Sequence, residues 1–393
     1  MQAVGEIFAV FLRLGLTSFG GPIAHIAYFR RELVQRRGWM SETAFAQLLA
    51  VCQVLPGPAS SQLGFGIGLM RGGVAGAVAA FVGFTLPSAL TMLAFAIWAP
   101  ALDAQVMAVA VHGLKLLAVA VVAHGLWGMA RALTPDAPRI GIAALACALV
   151  LAGGHAAMQL AAIALGAALG LGWCRPAAAT GEPALRTDHG RWLGGSAAAA
   201  AVLLLALALL WPQDTPSLGS VAAAMYRAGA LVFGGGHVVL PLLQAQLVDT
   251  GWLTPAQFLG GYGAAQAVPG PMFSLAAYLG ASVPVGVSPW LAGTVALLAV
   301  FLPGFLLLLA ALTYGQGWLR RPRAAPALAG VNAAVVGLLA AAFWNPVLRE
   351  GIATPWDAAI AAAALLALLR WRVPVLGVLA FCLLGAWAQV AGV

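Results

Sequence analysis

From Gly73 to Leu102 the chain runs without one Asp, Glu, Lys or Arg, and such runs recur at Ile140 to Cys174, Leu193 to Pro212, Trp290 to Leu319 and Val373 to Val393. Several exceed the roughly 20 residues that cross the hydrocarbon core of a bilayer as a helix. A globular chain carries about a quarter charged residues, whereas here the share is 8%, with 63% hydrophobic. A β-barrel needs apolar and polar residues to alternate, and the run "AAAAAVLLLALALL" does not alternate. The expected class is an all-α polytopic membrane protein. The first residues lack the basic stretch and small-residue cleavage site of a signal peptide.

Within this apolar chain, "QVLPGP" at Gln53 to Pro58 and "QAVPGP" at Gln266 to Pro271 place prolines and a glycine where a helix should continue. Proline in a helix interior costs about 3 kcal/mol. Two further breaks stand at Gly20-Gly21-Pro22 and Gly234-Gly235-Gly236. They belong to an internal repeat. "RLGLTSFGG" from Arg13 matches "RAGALVFGG" from Arg227, "GWMSETAF" matches "GWLTPAQF", and "FTLPS" matches "VFLPG". The expected organisation is a first repeat over 1–174, a cytoplasmic linker with one connecting transmembrane helix over 175–217, and a second repeat over 218–393.

Loop charge sets the orientation. "FRRELVQRR" follows the first GG block, and "LLQAQLVDTG", without Lys or Arg, follows the second. The positive-inside rule puts the first loop in the cytoplasm and its counterpart outside, which makes the halves inverted copies. If the GG and PGP blocks are tips of re-entrant hairpins meeting near the midplane, all but four of the 19 basic residues fall inside. Arg349 falls outside, and Arg13, Lys115 and Arg227 fall within the membrane.

Irregular backbone at membrane depth survives only under a cover of protein or water. A helix restarting after a break offers free N–H groups and the positive end of its dipole. "PGPASSQLG" adds Ser60, Ser61 and Gln62, and "PGPMFSLAAY" adds Ser274. Arg13 and Arg227 occupy matched positions before the GG breaks. An arginine there costs roughly 2.5–3.5 kcal/mol or more, so two of them read as a cation pair for an anion; the competing account has each one snorkel or cap carbonyls. Lys115 faces Asn332 in the repeat and is a third, asymmetric candidate. The acids all sit near span ends or loops, which disfavours a cation pump. His25 and His237 follow the two GG blocks and suit anion or proton binding. His112 and His124 read as packing residues, and Cys52, Cys147, Cys174 and Cys382 as small apolar ones. No spacing suits a metal or a cofactor, and no catalytic motif or nucleic-acid footprint is present.

At "FLRLGLTSFGGPIAHI", "VCQVLPGPASSQLGFGIG", "FGGGHVVLPLL" and "AQAVPGPMFSLAAYLG" the chain resembles the chromate ion transporter family in its long, two-domain form. The resemblance implies a multi-pass protein of the bacterial inner membrane that exports chromate and confers chromate resistance, with sulfate as a look-alike dianion and the lipid bilayer as surroundings. By motif match it implies substrate-binding roles for Arg13, Gly20, Gly21, Gln53, Pro56, Gly57 and Pro58, and for Arg227, Gly234, Gly235, His237, Gln266, Pro269, Gly270 and Pro271. Gly236 replaces the Pro22 of the first half. Import of sulfate or another oxyanion on the same scaffold, and an anion channel, stay open, as does a homodimer.

Overall fold

The computed structural model describes residues 2–19, 21–101, 103–153, 156–174, 191–233, 239–314 and 323–391. Those residues are helical with no strand among them. In the first half the helices are α1 (Gln2–Thr17), α2 (Gly21–Phe29), α3 (Glu42–Val54), α4 (Ala59–Trp98), α5 (Ala104–Leu133), α6 (Ala137–Gly153) and α7 (Ala156–Trp173). The connecting helix is α8 (Arg191–Leu210). The second half holds α9 (Leu218–Leu231), α10 (Val239–Leu247), α11 (Pro255–Ala267), α12 (Leu275–Ser282), α13 (Pro289–Tyr314), α14 (Ala324–Ala342), the short α15 (Arg349–Gly351), α16 (Pro355–Arg370) and α17 (Val375–Ala391). By length and apolarity, α4, α5, α8, α13 and the α14–α15 segment each suffice to cross a bilayer. Their outer faces carry exposed Trp98, Trp127, Trp192, Trp290 and Trp344, as expected for aromatic belts at a membrane interface. The protein is an all-α, multi-pass membrane protein.

The broken segments fold back. α3 and α11 have 13 residues each, about 20 Å, too short for a core of about 30 Å. After Pro58 the chain restarts as α4, which leaves helical geometry at Gly72 and Gly73. Gly68 then lies against Gly76 and Ala80, a contact that a straight helix forbids, so α4 reverses at that bend. The second half repeats the manoeuvre: α12 ends at Ser282, and Gly280 packs on Ala292 and Ala296 of α13. In the first half both arms return to one face. Glu6, near the start of α1, pairs with Arg37 at 3.4 Å and Arg71 at 3.2 Å, and the Arg71 guanidinium stacks on Trp39 at 4.4 Å. Glu32 takes Arg37 at 2.8 Å and Arg36 at 3.3 Å. Burial alone would raise the Glu32 carboxyl, and those two arginines outweigh it, leaving it below its usual range.

The repeats interlock. α1 lies along the outer arm of α4, with Gly15 against the Phe84 carbonyl, and α9 lies along α13, with Gly229 against the Val300 carbonyl. α4 and α13 then cross antiparallel: Phe81 packs on Phe301 and Phe305, whereas Leu93 packs on Gly293. α14 of the second half rests on α6 and α7 of the first, and α5 of the first half rests on α16 and α17 of the second. Each half therefore supplies part of the other's core.

One clamp went unread in the sequence. Asp357, fully buried, is the N3 residue of a capping box at the start of α16. Its carboxylate accepts from Ala353 N–H at 3.0 Å, Thr354 N–H at 2.9 Å, Gln389 Nε2 at 2.9 Å and His112 Nε2 at 2.7 Å. His112 is thus a partner tying α5 to α16 and α17, not a plain packing residue. Asp357→Ala leaves those donors unmatched and is expected to cost about 2–4 kcal/mol. Thermal unfolding of the purified protein measures it, and an unchanged melting temperature contradicts the clamp.

Candidate functional site

The candidate site lies where the two PGP breaks meet the ends of α1 and α9, and the bonds there are reciprocal. The Gly57 N–H donates to the Val232 carbonyl at 2.7 Å, and the Gly270 N–H donates to the Ser18 carbonyl at 2.9 Å. Val232 and Ser18 are repeat partners, as are Gly57 and Gly270. Each PGP block therefore satisfies the severed end of the opposite half's helix. Both glycines sit at positive φ, +122° for Gly57 and +104° for Gly270, a conformation L side chains resist. A Cβ on Gly57 would stand 2.9 Å from Gly304 Cα, and one on Gly270 would stand 3.0 Å from Ser88 Oγ. The crossing falls near residues 84–88 of α4, whose outer arm ends at Trp98, and near residues 300–304 of α13. That is about halfway along both helices.

These bonds correct one expectation. The PGP glycines do not hold their N–H groups free for a ligand; they spend them on carbonyls. Gln62 is spent too: its Nε2 donates to Pro56 O at 2.9 Å and Gly304 O at 3.0 Å, bridging the halves. The free donors lie one step further on. α4 is capped by Pro58 and the turn before α12 by Pro271, neither of which offers a side-chain acceptor. The N–H groups in the first turn of α4 and at the start of the turn before α12 lack intrahelical partners, whereas the Ser274 N–H already donates to Pro271 O at 3.0 Å. Ser61 and Ser274 sit there, buried, with hydroxyls that have no hydrogen-bond partner. Ser18 and Thr85 add two more unpartnered buried hydroxyls, and the Gln62 Oε1 is likewise unmatched. Ser18 and Thr85 carried no motif signal; only the repeat register of Ser18 pointed to the crossing.

The arginines differ. Arg13 is exposed. Arg227 is half-buried, and its Nε and Nη2 are enclosed without a hydrogen-bond partner. A guanidinium so placed is uncompensated. Lys115 on α5 is half-buried and without a hydrogen bond or ion pair among the described residues. His25 is 1% exposed, with Nε2 3.2 Å from Ser18 O and Nδ1 3.5 Å from Ser60 Oγ. Gly21 opens α2, Gln53 is exposed, and Gln266 and Pro269 are half-buried beside their break. Gly20, Gly234, Gly235, Gly236 and His237 lie outside the described residues. A cleft of about 120 Å³ follows α10 from Pro241 to Asp249, with Gln159, Gln244 and Asn345 in its wall. Gln159 donates to Pro241 O there at 2.9 Å. Among the described residues no group of three His, Cys, Asp or Glu side chains gathers to hold a metal.

The profile of the chromate transporter family matches residues 5–171 and again 219–388. The chain belongs to the chromate transporter family. It is 31% identical over 368 residues to the chromate transport protein of Pseudomonas aeruginosa, spanning 86% of this chain and 79% of that protein. The probable chromate transport protein of Synechococcus elongatus is 29% identical over 343 residues, covering 86% of this chain and 83% of that one. The chromate transport protein of Cupriavidus metallidurans is 26% identical over 343 residues, covering 86% and 81%. No solved structure matches this chain. Members of the family are transport proteins, not enzymes.

The crossing yields a direct expectation. Gly57→Ala forces a positive-φ alanine against backbone at Gly304 and is expected to lose at least about 2 kcal/mol. Gly270→Ala meets a serine hydroxyl that can turn away, so it should lose less. Unfolding midpoints of the two variants decide it, and a tolerant Gly57 contradicts the packing described.

Proposed function

We propose that this transporter carries chromate, a tetrahedral dianion, out of the cell across the inner membrane, binding it at the crossing of the broken helices. The observation that carries the reading is Arg227. Its enclosed, unpaired guanidinium nitrogens lie one to two turns before the severed end of α9. A low-dielectric site leaves a cation unbalanced unless an anion arrives. The first-turn N–H groups and the hydroxyls of Ser61 and Ser274 add donors around a tetrahedral oxyanion. Arg13, being exposed, is assigned to capture on the approach, and Gly20, Gly21 and Gln53 are assigned to the same step. Arg227, Gly234, Gly235, Gly236, His237 and Gln266 are assigned to the held state. Pro56, Gly57, Pro58, Pro269, Gly270 and Pro271 shape the crossing, Ser60 lines it, and Lys115 is an accessory charge.

The halves, 1–174 and 218–393, are read as inverted copies about 175–217. The reciprocal bonds at the crossing and the antiparallel α4 and α13 support that reading, and an inverted pair offers equivalent inward- and outward-facing states. Sulfate shares the shape and charge of chromate and is the natural competitor. Cysteines at Gln35 and Gln246 should label from opposite faces, the first cytoplasmic and the second periplasmic; labelling from one face contradicts inversion.

Chromate efflux, normalised to inserted protein, tests the site. Arg227→Gln should fall by more than about a hundredfold, because a dianion loses a poorly screened charge. Arg227→Lys should recover part of it, keeping charge without the planar fork. Arg13→Gln should fall by less than about tenfold, since Arg13 is exposed and not enclosed as Arg227 is. Near-wild-type flux in Arg227→Gln sinks the assignment. Running the assay with labelled sulfate, and in both directions, separates chromate export from sulfate import.

A further inference from the structure

His25 stands where the halves are tied, and the residue in register with it in the second half is Val239. Its ring lies edge-on to Phe84, with centroids 5.3 Å apart. Its Nε2 reaches the Ser18 carbonyl at 3.2 Å. A carbonyl only accepts, so Nε2 carries the proton and Nδ1 presents its lone pair to the Ser60 hydroxyl. The same Ser18 oxygen also takes the Gly270 N–H. Its two lone pairs are thus filled, one from α2 and one from the opposite half. In the second half the Val232 carbonyl takes the Gly57 N–H, but the residue in register with His25 is Val239, whose side chain has no donor. Among the described residues, the tie at Ser18 carries a titratable ring and the tie at Val232 does not.

We propose that His25 is a proton-binding site whose protonation loosens the tie between the first half and the second at Ser18. The proposal rests on the crossing being the transport site, and supplies the proton linkage that the span-end acids leave unassigned. The neutral ring meets both contacts. A proton added at Nδ1 places a cation against Phe84, with only a carbonyl and a hydroxyl at hand. The titratable and charged groups on the adjoining elements are Glu6 and Arg13 on α1, Tyr28 on α2, Arg30, Arg31, Glu32, Arg36 and Arg37 in the turn after α2, Arg71 on α4, Tyr262 on α11 and Tyr278 on α12. Glu6 and Glu32 are already paired with arginines. Glu6 also stands about 18 Å of helix rise before Ser18. Among the described residues nothing acidic is therefore placed to stabilise the imidazolium, and acid must shift α2 away from the Ser18 carbonyl or admit an anion to the ring.

The test compares wild type with His25→Gln, full-length, in lipid nanodiscs. Glutamine can donate to Ser18 O and accept from Ser60 but cannot take up a proton. In substrate-free buffer, between about pH 8 and about pH 5.5, wild type should lose at least about 3 °C more melting temperature than the variant. Equal losses overturn the proposal, because the remaining histidines are common to both. In vesicles clamped at one potential, acidification should change wild-type chromate flux at least about threefold more than variant flux; this ratio cancels titration of the anion itself. Matching pH profiles overturn it as well. If His25→Gln does not fold, Ser60→Ala removes the Nδ1 partner and must move the pH midpoint of melting by at least about half a unit; an unmoved midpoint counts against His25. A wild type without chromate flux but with the melting gap intact refutes the transport reading and keeps the proton site.

Discussion

Two backbone hydrogen bonds, Gly57 N–H to Val232 O and Gly270 N–H to Ser18 O, are the constraint on which the structure depends. A helix that stops halfway through a membrane exposes carbonyls that lipid cannot satisfy. Here each stop is satisfied by the other half's glycine, so neither half can complete its own broken helix alone. Glycine is required because the donor must arrive at positive φ and within contact of α13 or α4. The flanking prolines end one helix and begin the next while withholding side-chain caps. Unfilled donors are thereby pushed into the first turn of α4 and the start of the turn before α12.

The same exchange explains the larger architecture. α5 lies on α16 and α17, and α14 lies on α6 and α7, so the duplicated units are interwoven from the midplane outward. Aromatic packing fills the seam, with Phe65 stacked on Phe305 at 4.3 Å and Phe95 on Tyr278 at 5.4 Å. A rigid, interlocked frame around four helix ends suits a transporter, since small movements at the ends can alter access without unpacking the core. The asymmetries are then informative. Arg227 is enclosed where Arg13 is open, and His25 bonds to Ser18 O where its register counterpart is Val239.

Much of the fold was legible in the sequence. The charge-free run from Trp290 to Leu319 covers most of α13, that from Leu193 to Pro212 most of α8, and that from Ile140 to Cys174 most of α6 and all of α7, because uncharged length and flanking charge are local signals. The reversal at Gly72 and Gly73 was implied by a span beginning at Gly73. What stayed hidden was tertiary. Nothing local says that Gly57 reaches Val232, so the PGP amides read as free donors when they are engaged. Asp357 advertised a capping box through Thr354, but its partner His112 lies 245 residues away. Gln62 read as a ligand donor because its carbonyl partners, Pro56 and Gly304, are invisible to pattern. Matched arginines looked equivalent because repeat register records position and not exposure.

The central claim is that a dianion binds at this crossing. A cryo-electron microscopy structure of the full-length protein in nanodiscs with chromate tests it most directly. The account predicts tetrahedral density halfway along α4 and α13, within hydrogen-bonding reach of Arg227 and of Ser61 or Ser274. Density confined to the cleft between Pro241 and Asp249, with the Arg227 guanidinium still unpartnered, would contradict it.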